Sequence, residues 1–164
     1  MRLLALSHTY PRFDGDTNGP FVRFLMDELT SHGITVDVLT AWDKEFDQNY
    51  LDLAPAKIHL YKYAPFDSWH ILGYSRTIES DVKVKLVMLL LAPLMIISGV
   101  YHLRKLVKEL KPDLIQAHWF LPNGFIASVV SWITGVPVIA TLHGSDVFVA
   151  EKGFPYSLMT ALTN

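Results

Sequence analysis

Apolar and polar positions along the chain predict strands and helices in alternation. Leu3 to Leu6 is a short apolar run, which is typical of a strand buried on both faces. Thr35 to Thr40 is rich in β-branched residues and predicts a second strand. Between them, a helix is expected from Pro20 to Gly33, with Asn18 or Thr17 as its cap. Its buried face is expected to carry Phe21, Phe24, Leu25 and Leu29.

The rest of the chain continues this alternation, so we predict a single α/β domain with a mainly parallel, Rossmann-like sheet between two helical layers. Further strands are predicted at 58–63, 114–117 and 138–142. Further helices are predicted at 76–111, at 123–134 and from Pro155 onward. The first of these is expected to be hinged near Pro93 and Gly99. Residues 41–56 and 65–74 are predicted as loops.

Composition narrows the function classes. Hydrophobic residues make up 51% of the 164 residues and charged ones 18%, which argues against disorder. The 14 basic and 16 acidic side chains nearly balance, so nucleic acid is not an expected partner. The absence of cysteine excludes disulfides and a cysteine nucleophile. The first apolar run is too short for a signal peptide, and we expect a cytoplasmic protein.

Three of the predicted strands end at a histidine: His8, His118 and His143. Ligands of open α/β sheets bind beyond the carboxyl ends of the strands, and histidine suits hydrogen bonding and proton transfer there. Each histidine alone has a structural explanation, but three at one edge favour a binding site. A zinc site is disfavoured, because no carboxylate stands at ligand spacing and the histidines come from separate loops. We predict no metal.

Two loops add candidate chemistry. The sequence DGDTNGPF precedes the first helix, where small residues let backbone amides approach a phosphate, although a turn with a capped helix explains it equally well. It lacks the GxGxxG pattern, which disfavours NAD. HGSD follows the strand at 138–142; its Asp146 either reaches ligand hydroxyls or serves as a turn residue. Ser145 is not in the GxSxG pattern of a hydrolase.

These residues together carry a family resemblance. The stretches HTYPRFDGDTNGPFVRFLMDELTSHGITVDVLT, KPDLIQAHWFLPNGFIAS and GVPVIATLHGSDVF resemble the N-terminal domain of family 4 glycosyltransferases, one half of a GT-B architecture. The resemblance implies retaining, metal-independent transfer of a hexose from a nucleotide sugar to a sugar or lipid-linked acceptor. It implies no cofactor besides the nucleotide sugar as co-substrate, and a role in polysaccharide or glycolipid synthesis.

The resemblance also assigns residues. His143 is expected to contact the transferred sugar as the catalytic residue. The donor-side loop corresponds to Asn18, Gly19 and Pro20, where many relatives have a Gly-Gly pair; proline removes one amide donor. The acceptor side corresponds to His8, Tyr10, Asp16, His118, Trp119 and Asn123. The HGSD loop supports the site through Gly144, Ser145 and Asp146.

Residues 1–164 are expected to form the acceptor-binding domain alone. The nucleotide-sugar-binding domain of the family and its E-x7-E motif are absent from this sequence. The last predicted helix also lacks a terminating residue, so we expect a segment of a longer protein that is inactive by itself. The alternative is a stand-alone acceptor-binding or scaffold module that pairs with a separate catalytic chain. An NAD-dependent oxidoreductase ranks third.

The most apolar window, Leu86 to Tyr101, raises a membrane question. Its 16 residues fall short of the ~20 that a membrane-spanning helix needs, and Pro93 divides it. A buried crossover helix is the favoured interpretation. The other is peripheral contact with the inner face of the membrane, with anionic headgroups facing Lys83, Lys85, Arg104, Lys105 and Lys108.

Overall fold

The computed structural model describes residues 1–74 and 82–143. Within them lie five strands: β1 (Arg2–Ser7), β2 (Thr35–Ala41), β3 (Lys57–Tyr61), β4 (Leu114–His118) and β5 (Val138–Thr141). The same residues form four α-helices: α1 (Pro20–Ser31), α2 (Gln48–Asp52), α3 (Val82–Leu110) and α4 (Phe125–Thr134). Short irregular helical turns occupy Asp67–Trp69 and Phe120–Gly124. The helix predicted from Pro155 and the residues Gly144, Ser145 and Asp146 lie outside the described residues.

The five strands form one sheet in the order β3-β2-β1-β4-β5, and every neighbouring pair is parallel. The chain first builds outward from β1 to β3 and then returns to add β4 and β5 on the other side. Strand order therefore reverses between β1 and β4, which is where ligands bind in sheets of this kind. The predicted parallel α/β fold is confirmed.

Helices cover both faces of the sheet. Successive side chains of a buried strand point to opposite sides, so both faces carry apolar side chains that a helical layer must cover. Leu4 and Leu6 of β1 share a core with α3 and α4, through residues such as Leu103 and Ile126. On the other face, Leu3 and Ala5 pack with Val22 and Met26 of α1 and with Leu51 of α2. The predicted three-layer arrangement is therefore present.

Helix α1 begins at Pro20 as predicted, but it is rotated from its expected orientation. It buries Val22 and Met26, whereas Phe21, Phe24 and Leu25 are 43%, 70% and 38% exposed. The prediction was right for Leu29, which packs against the core. It was wrong for the other three residues, because two adjacent rows of this helix are apolar and hydrophobicity alone does not rank them. The predicted side-chain cap is also wrong: the N-cap is Gly19, with φ of 68°, and no side chain caps the helix.

Two other segments differ from expectation. Helix α2 lies in the predicted loop, where the Asp47 side chain accepts a hydrogen bond from the Asn49 amide and starts the helix. Helix α3 runs without interruption through Pro93 and Gly99, so the predicted hinge was wrong. Pro93 lies on the exposed side of the helix. Gly99 lies against α4: a Cβ there would stand 2.8 Å from Ile126 Cδ1.

Candidate functional site

The carboxyl edge of the sheet brings the three predicted histidines together. His8 directly follows β1, His118 is the last residue of β4, and His143 stands two residues beyond β5. His118 is paired in register with Thr141, which places the segment after β5 beside the end of β4. The edge where β1 and β4 end is also the place where strand order reverses.

His118 and His143 form a direct pair. His118 Nδ1 lies 3.1 Å from His143 Nε2, and the two rings stack with centroids 5.4 Å apart. The His118 side chain is fully buried. Burial, together with the neighbouring His143, lowers the pKa of His118 to about 4. His118 is therefore neutral at neutral pH, and one ring of the pair donates the shared proton while the other accepts it.

Aromatic rings surround His143. Its ring centroid lies 4.6 Å from that of Phe21 and 4.6 Å from that of Trp119. Trp119 also contacts His8, at 4.7 Å between centroids. We call His8, Phe21, Trp119 and His143 the ring cluster. Phe21 was missed as a site residue; its position directly after Gly19-Pro20, at the start of α1, is the sequence signal that places it at this edge.

The backbone at Trp119 has an unusual conformation for a residue with a side chain. Its φ is 65° and its ψ is 137°, outside the regions that such residues favour. Two hydrogen bonds hold it: the Trp119 amide donates to the Thr141 carbonyl at 3.0 Å, and the Gly124 amide donates to the Trp119 carbonyl at 3.1 Å. Strained residues of this kind cluster at functional sites, where the surrounding structure fixes them.

Asn123 joins the ends of β1 and β4. Its side chain is fully buried, and Nδ2 lies 2.9 Å from His8 Nδ1 and 2.6 Å from the His118 carbonyl oxygen, to which it donates. Among the described residues, neither Asn123 Oδ1 nor His118 Nε2 has a hydrogen-bond partner. Buried polar atoms are seldom left unpaired. Asn123, His118 and Trp119 thus lie together at the predicted site.

The donor-side loop is held from within by Asp16. Its carboxylate accepts hydrogen bonds from Arg12 Nε at 2.6 Å and from Asn18 Nδ2 at 2.7 Å. Although burial opposes ionisation, these hydrogen bonds hold the pKa of Asp16 well below its usual range. The buried Arg12 also pairs with Glu45 at 2.6 Å and Asp43 at 3.4 Å. Sequence reasoning missed Arg12, which the structure makes the centre of this loop.

Gly19 closes the same loop. Its φ is 68°, and an added Cβ would stand 3.1 Å from the Thr9 carbonyl oxygen. Both features favour glycine at this position. Pro20 follows as the first residue of α1, so the loop leads directly to Phe21 and the ring cluster.

Tyr10 and Asp16 are not brought to the surface of the crevice. Tyr10 is fully buried in the core shared by α1 and the sheet, and burial raises the pKa of its hydroxyl well above the usual range. Asp16 is 7% exposed and directs its oxygens to Arg12 and Asn18. Their acceptor-binding roles stay predictions. Within the described ranges, no group of three or more His, Cys, Asp or Glu side chains could hold a metal ion.

Similar proteins were found at the levels of sequence and structure. Over 40 residues the chain is 52% identical to TuaC of Bacillus subtilis (strain 168), which its name assigns to teichuronic acid biosynthesis as a glycosyltransferase. This match covers 24% of the chain and 10% of TuaC.

Two solved structures share the fold. The UDP-GlcNAc 2-epimerase from Neisseria meningitidis, bound to UDP-GlcNAc, aligns over 99% of the chain with a TM-score of 0.57 and 16% identity. The glycosyltransferase SsfS6 of Streptomyces sp. SF2575, complexed with thymidine diphosphate, aligns over 99% with a TM-score of 0.51 and 16% identity. The chain spans 38% and 42% of these two proteins.

The family match covers most of the chain. The glycosyl transferase 4-like family matches residues 14–163, a range that includes the donor-side loop, His118 and His143. The chain shares its fold with SsfS6. The resemblance stated from the sequence is therefore confirmed, and the chain belongs to the glycosyl transferase 4-like family, with the Rossmann-like fold of an N-terminal GT-B domain.

Proposed function

We propose that the chain is the acceptor-side domain of a retaining glycosyltransferase that moves a hexose from a nucleotide sugar to a sugar or lipid-linked acceptor. The proposal rests on one observation: His143, which belongs to the ring cluster beside the Gly19 loop, pairs with the neutral, buried His118. The family match supports the transferase class. It does not favour a stand-alone scaffold.

The chemistry of the cluster suits a sugar. Aromatic faces supply an apolar wall, and a few fixed polar groups supply orientation, which is the usual composition of a small-molecule site. His143 contacts the transferred hexose in this proposal, and His118 positions its ring. Because His118 is neutral, the pair offers hydrogen bonds to hydroxyl groups without a positive charge on the His118 ring.

The donor side rests on the loop of Asn18, Gly19 and Pro20. The positive end of the α1 dipole favours a diphosphate there, although Pro20 lacks an amide hydrogen. The structural neighbours bound to UDP-GlcNAc and to thymidine diphosphate support a nucleotide sugar as donor. We further propose that the reaction needs no metal or cofactor, that the protein is cytoplasmic, and that a second domain supplies most of the nucleotide contacts.

The test is a transfer assay with the whole protein of which this domain is the acceptor side. UDP-, GDP- and dTDP-hexoses are supplied with saccharide and lipid-linked acceptors, and nucleotide release and glycosylated product are measured with and without EDTA. We expect acceptor-dependent release that EDTA leaves unchanged, and NMR of the product should show a retained anomeric configuration. An inverted configuration, or an epimerised nucleotide sugar as the sole product, would overturn the proposal.

A further inference from the structure

The outward face of helix α3 carries a continuous row of exposed apolar side chains. They recur at intervals of three and four residues, which places them along one side of a helix. Their exposed fractions lie between 40% and 67%, far above those of core residues. We call this set the outer row: Val87, Leu90, Leu94, Ile97 and Tyr101.

The opposite face of α3 already fills the core. Leu91, Met95, Leu103 and Val107 are buried against the sheet and α4. The helix is therefore apolar on two sides, and within residues 1–74 and 82–143 the core packs against its inner side. An apolar strip of this length exposed to water is unusual for a soluble surface and marks a place of interaction.

The same face becomes basic toward the end of the helix. Arg104 stands seven residues after Ile97, and Lys105 and Lys108 stand four and seven after Tyr101, so all three continue the outer row. Each of the three is exposed. Helix α3 contains five basic residues and one acidic residue, whereas the whole chain has a formal charge of −2. Positive charge is thus concentrated on the element that exposes the apolar row.

We propose that the outer row, with Arg104, Lys105 and Lys108, binds the surface of an anionic lipid bilayer. The apolar side chains enter the interface while the three cations face the headgroups, as in an interfacial amphipathic helix. The segment Leu90–Leu110 is long and apolar enough to cross a membrane, with a mean hydropathy of 1.4. Because its inner face packs against the sheet, we infer that it lies on the bilayer.

A second copy of the chain fits this face less well. Parallel pairing of two α3 helices would set the cations of one copy against those of the other. Antiparallel pairing would set them against apolar residues at the start of the row. An anionic bilayer satisfies both the apolar part and the basic part. The inference extends the proposed function, since it would hold the domain where a lipid-linked acceptor is embedded.

The lack of cysteine allows a direct test with the 164-residue chain. Ile97→Cys is labelled with an environment-sensitive fluorophore and mixed with phosphatidylcholine vesicles that contain or lack phosphatidylglycerol. Trp132→Cys is the matched control, because Trp132 of α4 is 67% exposed and Ile97 is 66% exposed. We expect a blue shift at position 97 with anionic vesicles only, and none at position 132.

Charge variants provide the second arm. Lys105→Gln/Lys108→Gln should weaken vesicle binding by roughly thirtyfold, while the exposed pair Lys44→Gln/Lys57→Gln should leave it unchanged. An unshifted label at position 97, or equal shifts at both positions, would overturn the proposal. A shift that rises with protein concentration without vesicles would assign the face to a second copy. No sugar is present, so failure of the transferase assay leaves this result unaffected.

Discussion

His118 Nδ1 lies 3.1 Å from His143 Nε2, and the two ring planes differ by 13°. The two residues are 25 positions apart in the chain and meet because β4 and β5 are parallel neighbours that end at the same edge. One histidine is buried and held neutral, and the other stands among aromatic rings. The buried ring thereby fixes the orientation of the more accessible one.

This pair makes stability depend on pH. The pKa of His118 falls from 6.5 to about 4 on folding, so the unfolded chain binds more protons than the folded one between these values. The free energy of unfolding should therefore decrease as the pH is lowered from about 6.5 to 4, by up to about 3 kcal/mol from this residue. Urea unfolding at several pH values measures it.

Two variants isolate the contribution of His118. In His118→Gln the decrease in stability below pH 6.5 should become smaller by that amount. The exposed Leu53, changed to Gln, involves no titrating group and should keep the wild-type pH dependence. An unchanged pH dependence in His118→Gln would show that the buried ring is not held neutral.

Replacement of His143 tests the proposed catalytic contact. His143→Ala in the whole protein should lower kcat/KM for transfer by about a hundredfold or more, because a group that hydrogen-bonds the reacting sugar is lost. The domain should remain folded with a moderately lower melting temperature, because the buried His118 Nδ1 loses its hydrogen-bond partner. His32→Ala is the control and should transfer at the wild-type rate. Undiminished transfer by His143→Ala would refute the role.

Gly19 and Gly15 allow a matched comparison within one loop. Both have positive φ, 68° and 81°, so alanine at either position should destabilise the fold by about 1 kcal/mol through backbone strain. Gly19→Ala adds a Cβ 3.1 Å from the Thr9 carbonyl, whereas nothing lies within 4 Å at Gly15. Gly19→Ala should therefore be the more destabilising in urea unfolding. Equal losses of stability in the two variants would mean that the loop moves away from the added Cβ at position 19 without a measurable cost in free energy.

We expect the buried ion pair between Asp16 and Arg12 to stabilise the fold, and we expect salt to screen this buried pair only weakly. Asp16→Asn should destabilise the fold by about 2 to 4 kcal/mol, because it leaves the Arg12 guanidinium with two of its three acidic neighbours. The exposed Asp14→Asn should stay within about 0.5 kcal/mol of the wild type.

Acid unfolding gives an independent check on Asp16. Its lowered pKa means that its contribution is complete above a pH of about 4 and is lost as the pH falls below that value. Asp16→Asn should lack this part of the acid dependence. A variant as stable as the wild type at pH 7 would show that the ion cluster does not hold the loop.

The sheet and the convergence of the histidines could be predicted from sequence. Parallel strands that alternate with helices end at one edge of the sheet. Correct strand positions were therefore sufficient to predict that this edge brings together His8, His118 and His143. Asn123 and Trp119 followed from the family resemblance. Boundaries were close as well: β5 ends at Thr141, one residue before the predicted end.

Other features depended on contacts that no local pattern encodes. The rotation of α1 is set by its packing on β1 and β2, and both candidate faces are apolar. Arg12 and Asp43 meet across 31 residues, so their pairing with the Asp16 loop appears only when the chain is folded. Because this pairing is not visible in the sequence, Asp16 was predicted to bind the acceptor.

Gly99 lies in the middle of the inner face of α3, opposite the outer row. With only 2.8 Å between a hypothetical Cβ there and Ile126 Cδ1, α3 and α4 approach as closely as a hydrogen atom in place of a side chain permits. Gly99→Ala would require Ile126 to change its rotamer or α3 to shift relative to α4. The smallest residue of α3 thus permits the close helix contact on the side of α3 that faces away from the outer row.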